Sequence, residues 1–302
     1  MLSAALATIT ERIQLRAGSV VLPLHHFPRV VEEWAVVDNL SNGRAAISVT
    51  SGWIPNDFTF FPERFASKRE EMFRGIEEVQ RLWRGETVQA KDGAGNLVEL
   101  KVLPRPVQPN LPIWLTCSGD PQMFVKAGEL GFNVLTALLT QSVDEVAGKI
   151  ALYREARARH GHDPEGGQVT LMIHTFVGKN VDDVLAKVRA PLTDYLKSHV
   201  GLVESMTKSL NIDVGLNAEQ HLDAVVAFAF ERYYRTASLI GTPEKCLSMI
   251  KQLQSIGVDE VACFIDFGLD VDTVLEGLHY LSVLKDLCVP RTSPNIVAAR
   301  AF

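Results

Sequence analysis

Two rhythms of apolar positions alternate along the chain. Short, nearly continuous apolar runs are separated by longer stretches in which apolar residues recur every third or fourth position. The first rhythm reads as buried strand and the second as amphipathic helix. Strands are expected at 13–22, 44–52, 111–118, 132–136, 168–177 and 258–266. Helices are expected at 28–43, where Pro28 suits the first turn and Asn42-Gly43 the stop, and at 67–85, where Met72, Ile76, Val79 and Trp83 share one face. Further helices are expected at 121–131, 142–161, 242–257 and 271–288; Ser142 and Glu145 form a capping box for the second of these. A long helical region from 180 to about 236 is expected to break near Pro191 and around 211–217. Residues flanking the 91–96 turn read as a surface hairpin, and 53–65 as a loop dense in aromatics and prolines.

Strands joined by connections too long for hairpins imply a parallel sheet with helical crossovers. Six strands suit an open doubly wound sheet. A closed (β/α)₈ barrel needs eight, and the pattern alone leaves the two architectures open. No G-x-G-x-x-G turn follows the first strand, so a Rossmann dinucleotide site has no support.

Composition narrows the function classes. The chain has 302 residues, 47% hydrophobic and 22% charged, with formal net charge −6. That suits a globular protein of one large or two smaller domains, and argues against nucleic-acid or membrane-surface partners. Cys117, Cys246, Cys263 and Cys288 lie far apart without C-x-x-C spacing, as expected for reduced thiols of a cytoplasmic protein. Glu11 and Arg12 interrupt the apolar start before it could span a bilayer, and no basic segment precedes it.

The segment RIQLRAGSVVLPLHHFPRVVEEWAVVDNLSNGRAAISVTSGW (12–53) resembles the third strand, third helix and fourth strand of the bacterial-luciferase-like flavin monooxygenases. That family's LDxLS-GR signature stands here as residues 37–44. LPIWLTCSGDPQMFVKAGELGFNVLT resembles the next strand–helix–strand unit, and GTPEKCLSMIKQLQSIGVDEV the final repeat. RPVQPNLPIWLT and SGWIPNDF look closest to the subgroup associated with polyketide and nonribosomal peptide synthases. The resemblance implies a luciferase-type TIM barrel over 1–288 with a peripheral tail at 289–302. Residue 2 matches the family's second helix, so the barrel is expected to be incomplete at its N-terminus, with about six strands. The acidic-plus-histidine cluster that family members carry on the second strand then has no counterpart.

In a barrel, chemistry sits at the C-terminal strand ends. The resemblance puts a non-prolyl cis peptide at Gly18-Ser19, beneath a flavin ring. It makes Thr50, Ser51 and Gly52 the lining of the flavin edge, with Ser51 where luciferase has a phosphate-binding arginine. Ser118 and Gly119, ahead of a helix start, could hold a phosphate, or form a simple capped turn with Asp120 as N-cap. His25 and His26 are candidate general acids or bases, set against a role as plain loop histidines. Here HHFP replaces the family's usual HHP, which shifts Pro28 by one. Trp53, Phe58, Phe60 and Phe61 either wall a cleft or pack on the barrel top. His174 reads as a core histidine and Cys117 as inert packing.

The function so implied is oxygenation of a small-molecule or carrier-bound substrate, such as a polyketide or peptide intermediate. Reduced FMN would come from a separate flavin reductase. A deazaflavin F420-dependent hydride transferase and a non-catalytic flavin-binding homologue are the alternatives, and a homodimer is compatible with the resemblance.

Overall fold

The computed structural model describes residues 1–198 and 218–288; the interruption expected at 211–217 and the tail 289–302 lie outside them. The chain divides into two compact units, residues 1–135 with 152–167, and residues 136–151 with those from 168 onward.

In the first unit the order is α1 (Leu2–Ile9), β1 (Leu15–Val21), α2 (Phe27–Ser41), β2 (Ala45–Thr50), α3 (Lys68–Arg84), β3 (Val88–Lys91), β4 (Leu97–Leu100), β5 (Ile113–Thr116), α4 (Pro121–Glu129) and β6 (Asn133–Ala137). β1, β2, β5 and β6 pair side by side and in parallel, while β3 and β4 form the separate antiparallel hairpin. β2 is buried along almost its whole length, as a central parallel strand covered on both faces must be. α3 buries the predicted face, Met72, Ile76, Val79 and Trp83. α2 ends where Asn42 takes the left-handed conformation at φ 55°.

The family-type signature at 37–44 has a structural purpose. Asp38 is fully buried, and its carboxylate accepts from Val107 N (2.8 Å), Gln108 N (2.9 Å) and Gln108 Nε2 (2.7 Å), so it ties α2 to the approach of β5. Arg44 donates to the carbonyls of Ala7 (3.2 Å), Thr10 (2.6 Å) and Ile13 (2.6 Å) and to that of Ser41 (2.8 Å), clamping the α1–β1 link to the start of β2. These bonds, made by ionised groups, are the stronger kind.

α5 (Val143–Arg159) opens on the expected box: Ser142 N and Oγ both donate to Glu145, and Glu145 N donates back to Ser142 Oγ. In the second unit follow β7 (Val169–Val177), α6 (Val181–Ser198), α7 (Ala218–Thr236), β8 (Leu239–Gly241), α8 (Pro243–Ser255), β9 (Glu260–Phe264) and α9 (Val271–Cys288). β9 runs parallel to β7 over residues 170–174, and β8 over residues 175–177.

Two expectations need correction. β8 was absent from the six strands anticipated; with it, seven parallel strands stand among the described residues. Three residues are too few for a period to register. Pro191 does not break the helix either, because α6 runs through it. An interior proline costs roughly 3 kcal/mol. Burial of Val184, Val188, Leu192 and Leu196 on the same helix, at about 1.5–3 kcal/mol each, outweighs that.

Candidate active site

In the first unit the C-terminal ends of β1, β2 and β5 lie side by side, with Val21 opposite Thr50 and Val49 opposite Leu115. Several of the residues singled out from the sequence fall on these ends or just past them. The ladder between β1 and β2 slips between Ala17 and Val20, so that Gly18 and Ser19 together face one residue, Ser48. The Gly18–Ser19 peptide is cis, as the resemblance implied.

This bulge turns the Ser19 hydroxyl onto its neighbours. Ser19 Oγ donates to Ser48 Oγ (3.1 Å) and lies 2.6 Å from Thr116 Oγ1, while Ser48 Oγ and Thr116 Oγ1 are 2.8 Å apart. Three hydroxyls from three adjacent strands thus form a closed triangle. Ser48 is wholly buried; Ser19 and Thr116 are half-buried. Neither Ser48 nor Thr116 was singled out beforehand. A serine within the apolar run AAISV and a threonine ending IWLT were the available signal.

Past β1, a short 3₁₀ turn at Leu22–Leu24 leads to His25 and His26, both exposed at the head of α2. Arg64 fixes this turn. Its guanidinium donates to the Pro23 (3.1 Å) and His25 (2.9 Å) carbonyls and stacks 4.0 Å over the Phe61 ring. His26 meets Phe61 edge-on, with centroids 5.1 Å apart. Desolvation lowers the His25 pKa from its ordinary value against the pull of the Glu33 carboxylate, so His25 is neutral near pH 7 and able to accept a proton.

Thr50 closes β2, and Ser51 Oγ donates to the Gly52 carbonyl at 3.5 Å. Gly52 is required here. Its φ is +78°, and a Cβ would stand 2.8 Å from Val21 Cγ1 and 3.1 Å from the Phe58 ring. Phe58 is therefore core, whereas Trp53 and Phe60 are exposed at 56% and 87%.

Past β5, Asp120 is the N-cap of α4, accepting from Gln122 N at 3.0 Å, and Ser118 and Gly119 stand exposed before it. The sequence offered no cation for this corner. The fold supplies one, since Arg69, from the first turn of α3, lies 3.1 Å from Asp120 Oδ2. Arg69 is half-exposed, so this pair adds little stability. It does put a guanidinium beside a helix N-terminus, where backbone N–H groups and the helix dipole already favour an anion.

The remaining residues singled out take no part in this cluster. Cys117 is buried, and desolvation raises its pKa far above the usual thiol range, which leaves it inert. In the second unit His174 is fully buried, its Nδ1 2.8 Å from Tyr233 Oη, within van der Waals reach of four aromatic rings, Tyr195, Tyr233, Phe264 and Phe267. That is the core histidine expected.

Comparison with known proteins gives the fold its context. The oxygenase component of a flavin-dependent trigonelline monooxygenase from Acinetobacter baylyi is 26% identical over 278 residues, covering 89% of this chain and 74% of that enzyme. The oxygenating constituent of 3,6-diketocamphane monooxygenase from Pseudomonas putida, solved with FMN, superposes with TM-score 0.74 at 17% identity, covering 93% of this chain and 81% of that one. The coenzyme F420-dependent tetrahydromethanopterin reductase of Methanopyrus kandleri gives 0.72 at 18%, covering 92% and 86%. These likenesses establish the shared fold. The family described as luciferase-like monooxygenase matches residues 1–260. By that match, which spans most of its length, this chain belongs to the luciferase-like monooxygenase family.

Proposed function

We propose that the chain binds reduced FMN at the ends of β1, β2 and β5 and oxygenates an organic substrate there. The observation that carries this reading is the pairing of an anion corner with a polar shelf one strand away. Ser118, Gly119 and Arg69 surround the start of α4, and Ser19, Ser48 and Thr116 line the strands beside it. That donor set fits a flat heteroaromatic ligand with a phosphate tail. Ser118, the amides after Gly119 and Arg69 would hold the phosphate; Gly18, Ser19, Thr50, Ser51 and Gly52 would border the ring. When bound, the cofactor supplies the oxygen-transfer chemistry. The chain's own part is to hold the ring, to shield it from water, and to accept a proton at the neutral His25. His26 would stand at the rim, and exposed Trp53 and Phe60 offer apolar surface to a substrate.

Membership of the family and similarity to the Acinetobacter relative, the oxygenase component of its monooxygenase, support delivery of reduced flavin by a separate reductase. The motifs at 51–58 and 105–116 support a polyketide- or peptide-like substrate. A second reading, hydride transfer with deazaflavin F420, draws on the fold shared with the Methanopyrus reductase.

Titration with oxidised FMN, photoreduced FMN, riboflavin and F420 tests these together. The oxygenase reading expects FMN to bind better than riboflavin, and Arg69→Ala to erase about a tenfold FMN preference, equal to ~1.4 kcal/mol. Binding of F420 alone would replace it with the second reading. No binding of any of the four would refute both.

A further inference from the structure

The hydroxyl triangle has a proton count that limits what it can do. Ser19 Oγ donates to Ser48 Oγ, which uses the only Ser19 proton. The contact between Ser19 and Thr116 must then be donated by Thr116, and that between Ser48 and Thr116 by Ser48. The three bonds run head to tail in a ring. Each hydroxyl gives one bond and takes one, so no proton is left over, and each oxygen keeps one lone pair. Bonds in such a cycle polarise one another in the same sense.

A closed ring of this kind accepts hydrogen bonds but cannot donate one without opening. The flavin ring changes in the complementary way: its N5 is an acceptor when oxidised and an N–H donor when reduced. Resting on the flavin reading above, we propose that the Ser19–Ser48–Thr116 ring makes this site favour reduced over oxidised flavin. Half-buried Ser19 and Thr116 offer a lone pair to the N–H of the reduced ring, with all three internal bonds kept. An oxidised ring would take a donor only at the expense of one internal bond. Ser48, fully buried, is the positioning residue. It touches no ligand and acts by occupying the proton of one partner and the lone pair of the other.

The test is the ratio of Kd values for oxidised and photoreduced FMN, both titrated with purified protein under argon. Ser48→Ala leaves Thr116 and Ser19 as a pair with one proton always free, so the oxidised form gains a donor without penalty. One hydrogen bond sets the scale at about 1 kcal/mol, or roughly fivefold. The preference for reduced FMN is therefore expected to fall about fivefold in Ser48→Ala and to survive in Ser48→Thr, which keeps the hydroxyl. Ser19→Ala leaves Ser48 donating to Thr116 and the Thr116 proton free, so it reads the same quantity if Ser48→Ala does not fold. An unchanged ratio in both alanine variants, with FMN still bound, overturns the ring alone. Failure of the unaltered chain to bind either form of FMN overturns the flavin reading and the ring with it.

Discussion

Asp38→Asn is the substitution whose cost the structure specifies best. The carboxylate is at 0% exposure, and its two oxygens divide the donors between them. Oδ2 takes the backbone N–H groups of Val107 and Gln108, which cannot turn away, and Oδ1 takes Gln108 Nε2 and, at 3.4 Å, the backbone N–H of Ala45. An asparagine must point its single oxygen at the Val107 and Gln108 backbone donors, which puts its NH₂ against the NH₂ of Gln108 and the more distant N–H of Ala45. The Gln108 amide then has to flip, and its present bond to the Ala45 carbonyl, 2.8 Å, is lost. One neutral bond lost is about 1 kcal/mol, and three bonds downgraded from charged to neutral lose about 1 kcal/mol each. Removing a buried charge offsets part of this. The expected destabilisation is about 3 kcal/mol. With a urea m-value near 3 kcal/mol per M, the upper end of the usual range, the midpoint falls by about 1 M. Urea unfolding followed by tryptophan emission is suited to the measurement, because buried Trp83 donates from Nε1 to the Gln108 carbonyl at 3.0 Å and reports on the same loop. A double-variant cycle with Gln108→Ala should show strong coupling, since the two side chains share one network. A loss below ~1 kcal/mol, or additive effects, would mean that the network does not tie α2 to the strand approach as described.

Arg44→Lys removes the fork that reaches four carbonyls and should raise hydrogen exchange in α1 while leaving α3 protected; equal α1 protection in the variant and the unaltered chain contradicts the clamp. His25 should titrate below the ordinary histidine value by NMR, and Glu33→Gln should lower it further by removing the opposing carboxylate. Because its folded pKa is the lower one, its contribution to stability is present above about pH 6.5 and is lost as pH falls toward the folded value; a midpoint at or above 6.5 refutes the desolvation argument. Among the cysteines, exposed Cys288 should be the fast thiol towards an aromatic disulfide reagent in the native protein. Buried Cys117, and Cys246 with its pKa pushed up to about 12, should wait for denaturant, and rapid modification of Cys117 would refute its burial. Gly128→Val should destabilise by several kcal/mol, because even a Cβ there would lie 2.5 Å from the Tyr153 carbonyl oxygen; an unchanged melting temperature would disprove that close approach.

The sequence by itself determined what depends on local pattern. α2, α3, α5, α8 and α9 are legible because burial of one face repeats every three or four residues, and caps at Ser142 and Thr242 mark where two of them begin. β2 and β7 are legible because strands covered on both faces leave no room for polar side chains apart from a few hydroxyls and His174. The motifs along β1, β2 and β5 also carried the family and the stretch in which the candidate site residues lie. Tertiary structure decided the rest. β8 exists because β7 offers it a partner, and α6 passes through Pro191 because its apolar face is buried. Arg69 meets Asp120 across 51 positions of chain, and Ser19, Ser48 and Thr116 meet across as many as 97. No periodicity encodes such meetings. A hydrogen bond or ion pair depends on distance in space, and that distance is set only when the strands have paired and the helices have packed on them.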